Sequence, residues 1–449
     1  MRSVRAVDRD AGTRGARAPA ARGAGEPRPG ARAGGPRTRV HAGVRARWAL
    51  HGWLAPCTTC RRGALRRGPW VCLACRRVAP VLKDDMTTPC GASLSLPAPR
   101  PPRSPLRRAV ASAPMRVSFA GGGSDLPGVA RHGGGRVVGA AIDLRVRAVV
   151  EPFDRGWVRM ESAARAARAA GHPAEDAGAG AARVLTRRRG DPPRDDVAFR
   201  LIEAALSVVG VGDGVAIRIE TEMAPGAGLG GSASAAVAAL FALRASVGEV
   251  AAPEELGREA VAIERERLSN ACGAQDQVFA AFGGLLDLSF DARGCSAVRP
   301  LPVGSPDLVS ALSSGLLLVD TEVRRVSGEV LDRMDAGAAI DARGELVAAA
   351  ADVARGFEVG SLPLVLSGMR RGAAAKVRLS GPASALALAL GQRLDGLGVE
   401  VLRVCGAGGG GHVLVWAPAE RHARILDALG ACVVRRQALG APGVRAEPG

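Results

Sequence analysis

Three glycine-rich loops, a serine at the head of a helix and two carboxylates are the residues of this chain best suited to chemistry. The densest cluster is Pro225-Gly226-Ala227-Gly228-Leu229-Gly230-Gly231-Ser232, which runs into the alanine-rich segment Ser232 to Ser246. Glycine tolerates positive φ and lets main-chain N–H groups approach an anion with no Cβ in the way. A helix start adds unpaired N–H groups and the positive end of the helix dipole. Alanine and leucine favour such a helix, and a hydroxyl at its start can cap it or ligate a magnesium ion carried by a nucleotide. The stretch is a candidate phosphate cradle; taken alone, it suits a glycine-rich turn before a core helix equally well.

Two other phosphate-binding patterns can be tested on the same residues. A Walker loop needs GxxxxGK[ST], but the only lysines are Lys83 and Lys376, and neither follows such a loop. Gly226, Gly228 and Gly231 do spell GxGxxG, the mark of a dinucleotide-binding oxidoreductase, yet there the first glycine directly ends a buried parallel strand. Here Val215 to Glu220 alternates apolar and polar, as a one-face strand does, and Thr221 to Pro225 separate it from the glycines.

Met115 to Phe119 alternates like a short strand and leads into Ala120-Gly121-Gly122-Gly123-Ser124-Asp125-Leu126-Pro127. There Ser124 and Asp125 can hydrogen-bond sugar hydroxyls beside exposed main chain, or close a tight turn. A helix is predicted over Pro253 to Leu268, with proline at its start and acid in its first turn, and Glu264 lies on it. Asp276, at a glycine-marked junction, can accept a proton from a substrate hydroxyl or cap a helix beginning at Val278. The third loop, Cys405 to His412, enters the strand Val413 to Trp416 and can lie against a ligand or form a tight hairpin.

Taken in order, Met115–Asp125, Ala224–Ala235 and Cys405–Val413 resemble the three motifs of the GHMP kinases, over about residues 114–430. Within that family Arg116 to Pro127, Ile263 to Glu266 and Gly273 to Gln277 are most similar to D-glycero-D-manno-heptose 7-phosphate kinases. The resemblance implies an α+β GHMP kinase two-domain fold: a ribosomal protein S5 domain 2-like N-terminal domain over 114–300 and a ferredoxin-like C-terminal domain over 305–440. It implies ATP as donor, with Pro225, Gly226, Ala227, Gly228, Leu229, Gly230, Gly231, Ser232 and Ala233 around its phosphates. Ser232 and Glu264 become Mg2+ ligands, Asp276 the catalytic carboxylate, and Gly406, Gly408, Gly409 and Gly410 a supporting loop. Gly123, Ser124 and Asp125 would contact sugar hydroxyls. Close relatives tend to carry serines where this chain has Gly231 and Ala233. Some members use a lysine near the first motif to assist the aspartate, and Arg116 is the nearest candidate here. Arg324 and Arg325 are the cations proposed for a substrate phosphate. The implied reaction is phosphorylation of the anomeric hydroxyl of a sugar or sugar phosphate, a heptose 7-phosphate foremost. A free hexose or a non-sugar alcohol is the alternative acceptor.

The elements that must hold these residues are strands over Met115–Phe119, Ile142–Val150 and Val215–Glu220, and helices after Ser232 and Pro253. Glu161 to Asp196, with its run Arg187-Arg188-Arg189, reads as a long surface loop whose charges face solvent. Residues 1–113 carry the whole net charge of +18, and the remainder balances to zero, so the body exerts no global basic field on a partner. Residues 1–110, rich in Arg, Pro and Gly, are expected to be a disordered extension or a misassigned start, with Met86 and Val110 as later starts. Cys57, Cys60, Cys72 and Cys75 form paired CxxC hooks able to hold zinc, which keeps zinc or nucleic-acid binding as a reading of another class. Nucleic acid is not the expected partner. No apolar run reaches the roughly 18 residues of a membrane span, no secretory signal is evident, and the unpaired cysteine spacing of the body suits a reducing cytoplasm.

Overall fold

The computed structural model describes residues 88–89, 105–164, 182–193, 196–323, 340–380, 385–430 and 432–448. The four CxxC cysteines, Arg324 and Arg325 lie outside the described residues. Two sheets organise the chain. The strands of the first are β1 (Thr88–Pro89), β2 (Ala109–Ala120), β3 (Gly135–Pro152), β4 (Trp157–Ala164), β5 (Arg183–Arg188), β6 (Val215–Thr221), β7 (Leu285–Asp291) and β8 (Gly294–Pro300). Those of the second are β9 (Leu316–Asp320), β10 (Val401–Val404), β11 (His412–Trp416) and β12 (Val434–Arg435); β13 (Arg445–Ala446) returns to the first sheet and pairs with β2.

The long strand β3 is the axis of the first sheet. β2 pairs along it, while β6 takes its C-terminal half and β7 its N-terminal half, all antiparallel. Period-two patterning sets which side chains go inward: Ala111, Ala113, Met115, Val117 and Phe119 of β2 all enter one core and are no more than 1% exposed. β6 alternates buried and partly buried residues, as its sequence predicts. It lies antiparallel to β3 and parallel to β4, in a mixed sheet unlike the all-parallel one a dinucleotide fold requires.

Helices α1 (Pro127–Ala130), α2 (Val197–Val209), α3 (Gly231–Ser246), α4 (Pro253–Ala262) and α5 (Gln275–Phe282) build on this sheet. α3 buries residues all round, including Ala236 to Leu240 without interruption, so it is a core helix rather than an amphipathic surface one. Its alanines let it lie close to β2 and β3. α4 does not run on regularly to Leu268: it gives way at Ile263–Arg267 to a π-helical turn that carries Glu264. Such turns often mark functional positions.

The Glu161–Asp196 loop expectation is corrected. β4 extends to Ala164 and pairs antiparallel with β5. Arg187 turns inward and forms a two-pronged ion pair with Glu203 of α2, at 2.6 Å through both Nε and Nη2. β5 reads as loop because it is an edge strand whose one inward apolar residue, Leu185, is outnumbered by charged neighbours, a common way of blunting a sheet edge.

The second sheet has the order β10-β11-β9-β12, antiparallel throughout. Helices Ile340–Glu358 and Leu362–Ser380 lie between β9 and β10 in sequence, and His422–Leu429 between β11 and β12. Among the described residues this is the ferredoxin-like β-α-β-β-α-β arrangement with three further helices: Pro306–Gly315 ahead of β9 and, between β9 and β10, Ala385–Arg393 and one of the two long helices. Phe357 stacks on Phe119 of β2 with ring centroids 5.9 Å apart. Among the described residues no helix is long and apolar enough to cross a membrane.

The two sheets also meet through glycine loops. Gly228 has φ +78° and a Cβ there would lie 2.7 Å from the Cys405 carbonyl oxygen; Gly411 has φ +80° and a Cβ there would lie 2.6 Å from that of Ala227. Alanine at either position should destabilise the protein by about 1–3 kcal/mol from backbone strain, with the clash added. Gly156, at φ +82° with nothing within 4 Å, controls for strain alone. Thermal unfolding should show larger losses for Gly228→Ala and Gly411→Ala than for Gly156→Ala; equal losses would show that the loop contact is dispensable.

Candidate active site

The loop from Gly226 to Gly230 is held by its carbonyls. The Ala227 oxygen accepts from the His412 main-chain N–H at 3.0 Å, and lies 3.0 Å from His412 Nδ1. The Gly228 oxygen accepts from Arg116 Nη1 at 2.7 Å, and the Leu229 oxygen from the Arg116 N–H at 3.0 Å. Three successive carbonyls are thus turned into the protein, and positive φ at Gly226, Gly228 and Gly230 permits the turn. None of the N–H groups from Gly226 to Ala233 has a protein acceptor among the described bonds, and α3 begins without a side-chain cap. A row of unpartnered N–H groups at a helix start is an anion site in its electrostatics.

Neither serine of the first turn caps α3. Ser234 donates to the Pro114 carbonyl at 2.7 Å and so fastens α3 to β2. Ser232 donates to Glu264 Oε1 at 2.7 Å, and Gln277 Nε2 donates to the other carboxylate oxygen at 3.1 Å. Glu264 is 6% exposed, and burial pushes its pKa up against the pull of the Ser232 hydrogen bond, with the nearby Asp276 charge adding to the rise. A carboxylate so short of positive charge, beside a hydroxyl and the open N–H row, fits Mg2+. That ion takes one or two protein oxygens and completes its shell with phosphates and water. Among the described residues no group of three His, Cys, Asp or Glu could hold a metal by itself.

Asp276 sits in the first turn of α5, whose N-cap position is Ala274 with no side-chain cap. The capping alternative is replaced by an ion pair. Arg116 grips Asp276 with Nε to Oδ1 at 2.8 Å and Nη2 to Oδ2 at 2.7 Å, the planar fork that suits guanidinium and carboxylate. Asp276 keeps 27% of its side chain exposed while Arg116 keeps 5%. A Cβ on Gly230 would lie 3.3 Å from Asp276 Oδ2, so the absence of a side chain there lets the cradle lie against the carboxylate.

The first glycine loop is enclosed rather than open. Ser124, 0% exposed, donates to the Arg136 carbonyl and accepts from the Arg136 N–H, both at 3.1 Å. Asp125, 2% exposed, accepts from the Gly123 N–H at 3.0 Å, from Gln275 Nε2 at 2.9 Å and from the Gln275 N–H at 3.3 Å. In this structure the two side chains expected on sugar hydroxyls are turned into the protein, and Asp125 fixes the start of the helix that carries Asp276. In the third loop Gly406, Gly408, Gly409 and Gly410 all have positive φ, and the loop supports the cradle through His412.

Sequence reading missed Arg403, Lys376, Gln275 and Gln277. Lys376 donates to the Gly122 carbonyl at 3.1 Å, and Arg403, 2% exposed, lies beside the same glycine. A lone arginine in the apolar run Val401-Leu402-Arg403-Val404, directly ahead of a glycine loop, was the available signal.

Residues 196–284 match the family model described as GHMP kinases N terminal domain. None of the curated proteins matches the chain. A D-glycero-D-manno-heptose 1-phosphate kinase from Bacteriodes thetaiotaomicron superposes with TM-score 0.58 at 20% identity, over 76% of this chain and 99% of that one. Methanococcus jannaschii mevalonate kinase gives 0.55 at 17% identity, over 75% and 99%. Lactococcus lactis galactokinase, solved with galactose, gives 0.50 at 14%, over 75% and 95%. At these identities the likeness is one of fold. The chain has the GHMP kinase fold, contains that family's N-terminal domain, and is accordingly a phosphotransferase.

Asp125 is held above the ordinary carboxylate range, first by burial and then by the Asp276 charge, with the Gly123 and Gln275 N–H groups and the Lys376 cation pulling the other way. The native state therefore keeps this proton longer than the unfolded chain, so Asp125 withdraws stability as pH rises from about 4 through its raised pKa. Asp125→Asn removes the titration. Its melting midpoint should gain on the wild type as pH rises from 4 towards neutrality; parallel curves would count against the buried, charge-crowded carboxylate.

Proposed function

We propose that this phosphotransferase moves the γ-phosphate of ATP to a hydroxyl of a small polyol, a sugar or sugar phosphate. The anomeric hydroxyl of a heptose 7-phosphate is the acceptor its motifs favour. The observation that carries the reading is the cradle. Three loop carbonyls are tied inward, the N–H row is left without protein partners, and a half-open carboxylate stands against Gly230.

In this reading the donor phosphates lie on the N–H groups of Gly226 to Ala233, where fixed dipoles oppose the charge that spreads over the transferred group. Ser232 and Glu264 would hold Mg2+, which when bound neutralises phosphate charge. Asp276 accepts a hydrogen bond from the attacking hydroxyl and takes its proton as the new bond to the γ-phosphorus forms and the bond from that phosphorus to the bridging oxygen breaks, releasing ADP. Arg116 fixes the orientation of that carboxylate and, through the Gly228 carbonyl, its distance from the cradle. Gly123 lies on the acceptor side, with Asp125 setting the start of α5. Gly406 to Gly410 keep the cradle in shape through His412.

Asp276→Asn should lower kcat about 10³-fold, within the range for a removed general base, and leave affinity for a non-hydrolysable ATP analogue near wild type. Turnover within a fewfold of wild type would remove Asp276 from the mechanism. Ser232→Ala should raise the Mg2+ concentration needed for half-maximal turnover, and an unchanged requirement would contradict the ligand assignment. A panel of sugar 7-phosphates, free hexoses, homoserine and mevalonate, assayed for ATP turnover, identifies the acceptor class.

A further inference from the structure

Arg403 is the buried charge that the catalytic account leaves unused. The residue is 2% exposed, and Nε and Nη1 of its guanidinium are buried with no hydrogen-bond partner. Burial lowers its pKa to about 10; its electrostatic neighbours are the Cys405 thiol and the Arg116 cation, with no carboxylate among them. The carboxylates near the site are committed elsewhere, Asp276 to Arg116 and Asp125 to Gly123 and Gln275. A buried cation is ordinarily paired, because leaving it unpaired forfeits its hydration without return.

The position of Arg403 gives the missing partner an address. Its Nη2 lies 3.3 Å from where a Cβ on Gly122 would be, with Ser118 Oγ at 3.0 Å and Gln275 Oε1 at 3.6 Å from the same point, and its unpartnered Nη1 lies 3.4 Å from where a Cβ on Gly372 would be. Lys376 Nζ donates to the Gly122 carbonyl at 3.1 Å. Two cations thus converge on one glycine of the first loop, beside the Ser118 hydroxyl. Gln275 is the residue next to Asp276, so this address adjoins the carboxylate proposed to receive the acceptor hydroxyl.

We propose that Arg403 and Lys376, converging on Gly122, bind an oxyanion borne by the phosphoryl acceptor, a phosphate monoester or a carboxylate. The inference rests on the kinase reading for its link to an acceptor, and on the unpaired guanidinium for the anion. It selects anionic acceptors over neutral polyols.

The test uses the full chain saturated with a non-hydrolysable ATP analogue and Mg2+, so that the cradle is filled, and titrates inorganic phosphate and separately acetate by calorimetry. Wild type should bind one anion, and Arg403→Met should weaken it at least tenfold, with a smaller loss in Arg403→Lys. Stronger binding of phosphate identifies a phosphorylated acceptor, and stronger binding of acetate a carboxylated one. The melting midpoint of ligand-free Arg403→Met should equal or exceed wild type, since an uncompensated buried charge has been removed. Absence of anion binding in wild type, or equal binding in Arg403→Met, would overturn the proposal, as would a large fall in melting midpoint with binding intact, the result for a purely structural arginine. If Arg403→Met does not fold, Lys376→Met and Arg403→Lys decide by the same titration. Failure of the analogue to bind strikes the kinase reading alone, because the anion titration is then scored on ligand-free protein as the difference between wild type and Arg403→Met, whose cradles are the same.

Discussion

The guanidinium of Arg116 is the interaction on which the site depends. It reaches from β2 to hold both oxygens of Asp276 with two nitrogens and the Gly228 carbonyl with the third. Residues 116, 228 and 276 are far apart in the chain, and one rigid planar group sets their spacing. A lysine could supply the charge but not the three directed bonds. With 5% of its side chain exposed, Arg116 acts away from water, where charged hydrogen bonds are strongest.

The same constraint spreads outward. Since Arg116 and His412 take the carbonyls of residues 227–229, the loop can present its N–H groups only outward, and the cradle depends on both sheets. β2 positions Arg116, β11 positions His412, and α3 receives the loop. Glycines at 228 and 411 allow main chain to meet main chain where a side chain has no room. Gly230 lets the cradle lie against Asp276, and Asp125 anchors the first residue of α5.

Much of this was legible in the sequence where a local rule operates. Val215–Glu220 alternates because one face is buried, and the structure has β6 there. Alanine and leucine after Ser232 give α3, and the glycine-rich loops stand out by composition. What was hidden depends on partners remote in sequence. Asp276 reads equally as a helix cap or a catalytic carboxylate, and its ion pair with Arg116, 160 residues away, has no local signature. β5 turns only Leu185 towards the core as an apolar residue, so its charged residues resemble a loop, and the inward turn of Arg187 needs α2 to be seen. Arg403 escaped notice because a charge in a short apolar strand has no local signature of what it faces.

The most direct test is a double-mutant cycle between Arg116 and Asp276, read as kcat for ATP turnover in Arg116→Met, Asp276→Asn and the double variant, with nucleotide-analogue affinity as the control. If Arg116 acts by orienting Asp276, the two losses overlap, and the double variant is no slower than Asp276→Asn within a few fold. Losses that multiply, or Arg116→Met with wild-type kcat, would show that the fork is not what fixes the reacting carboxylate.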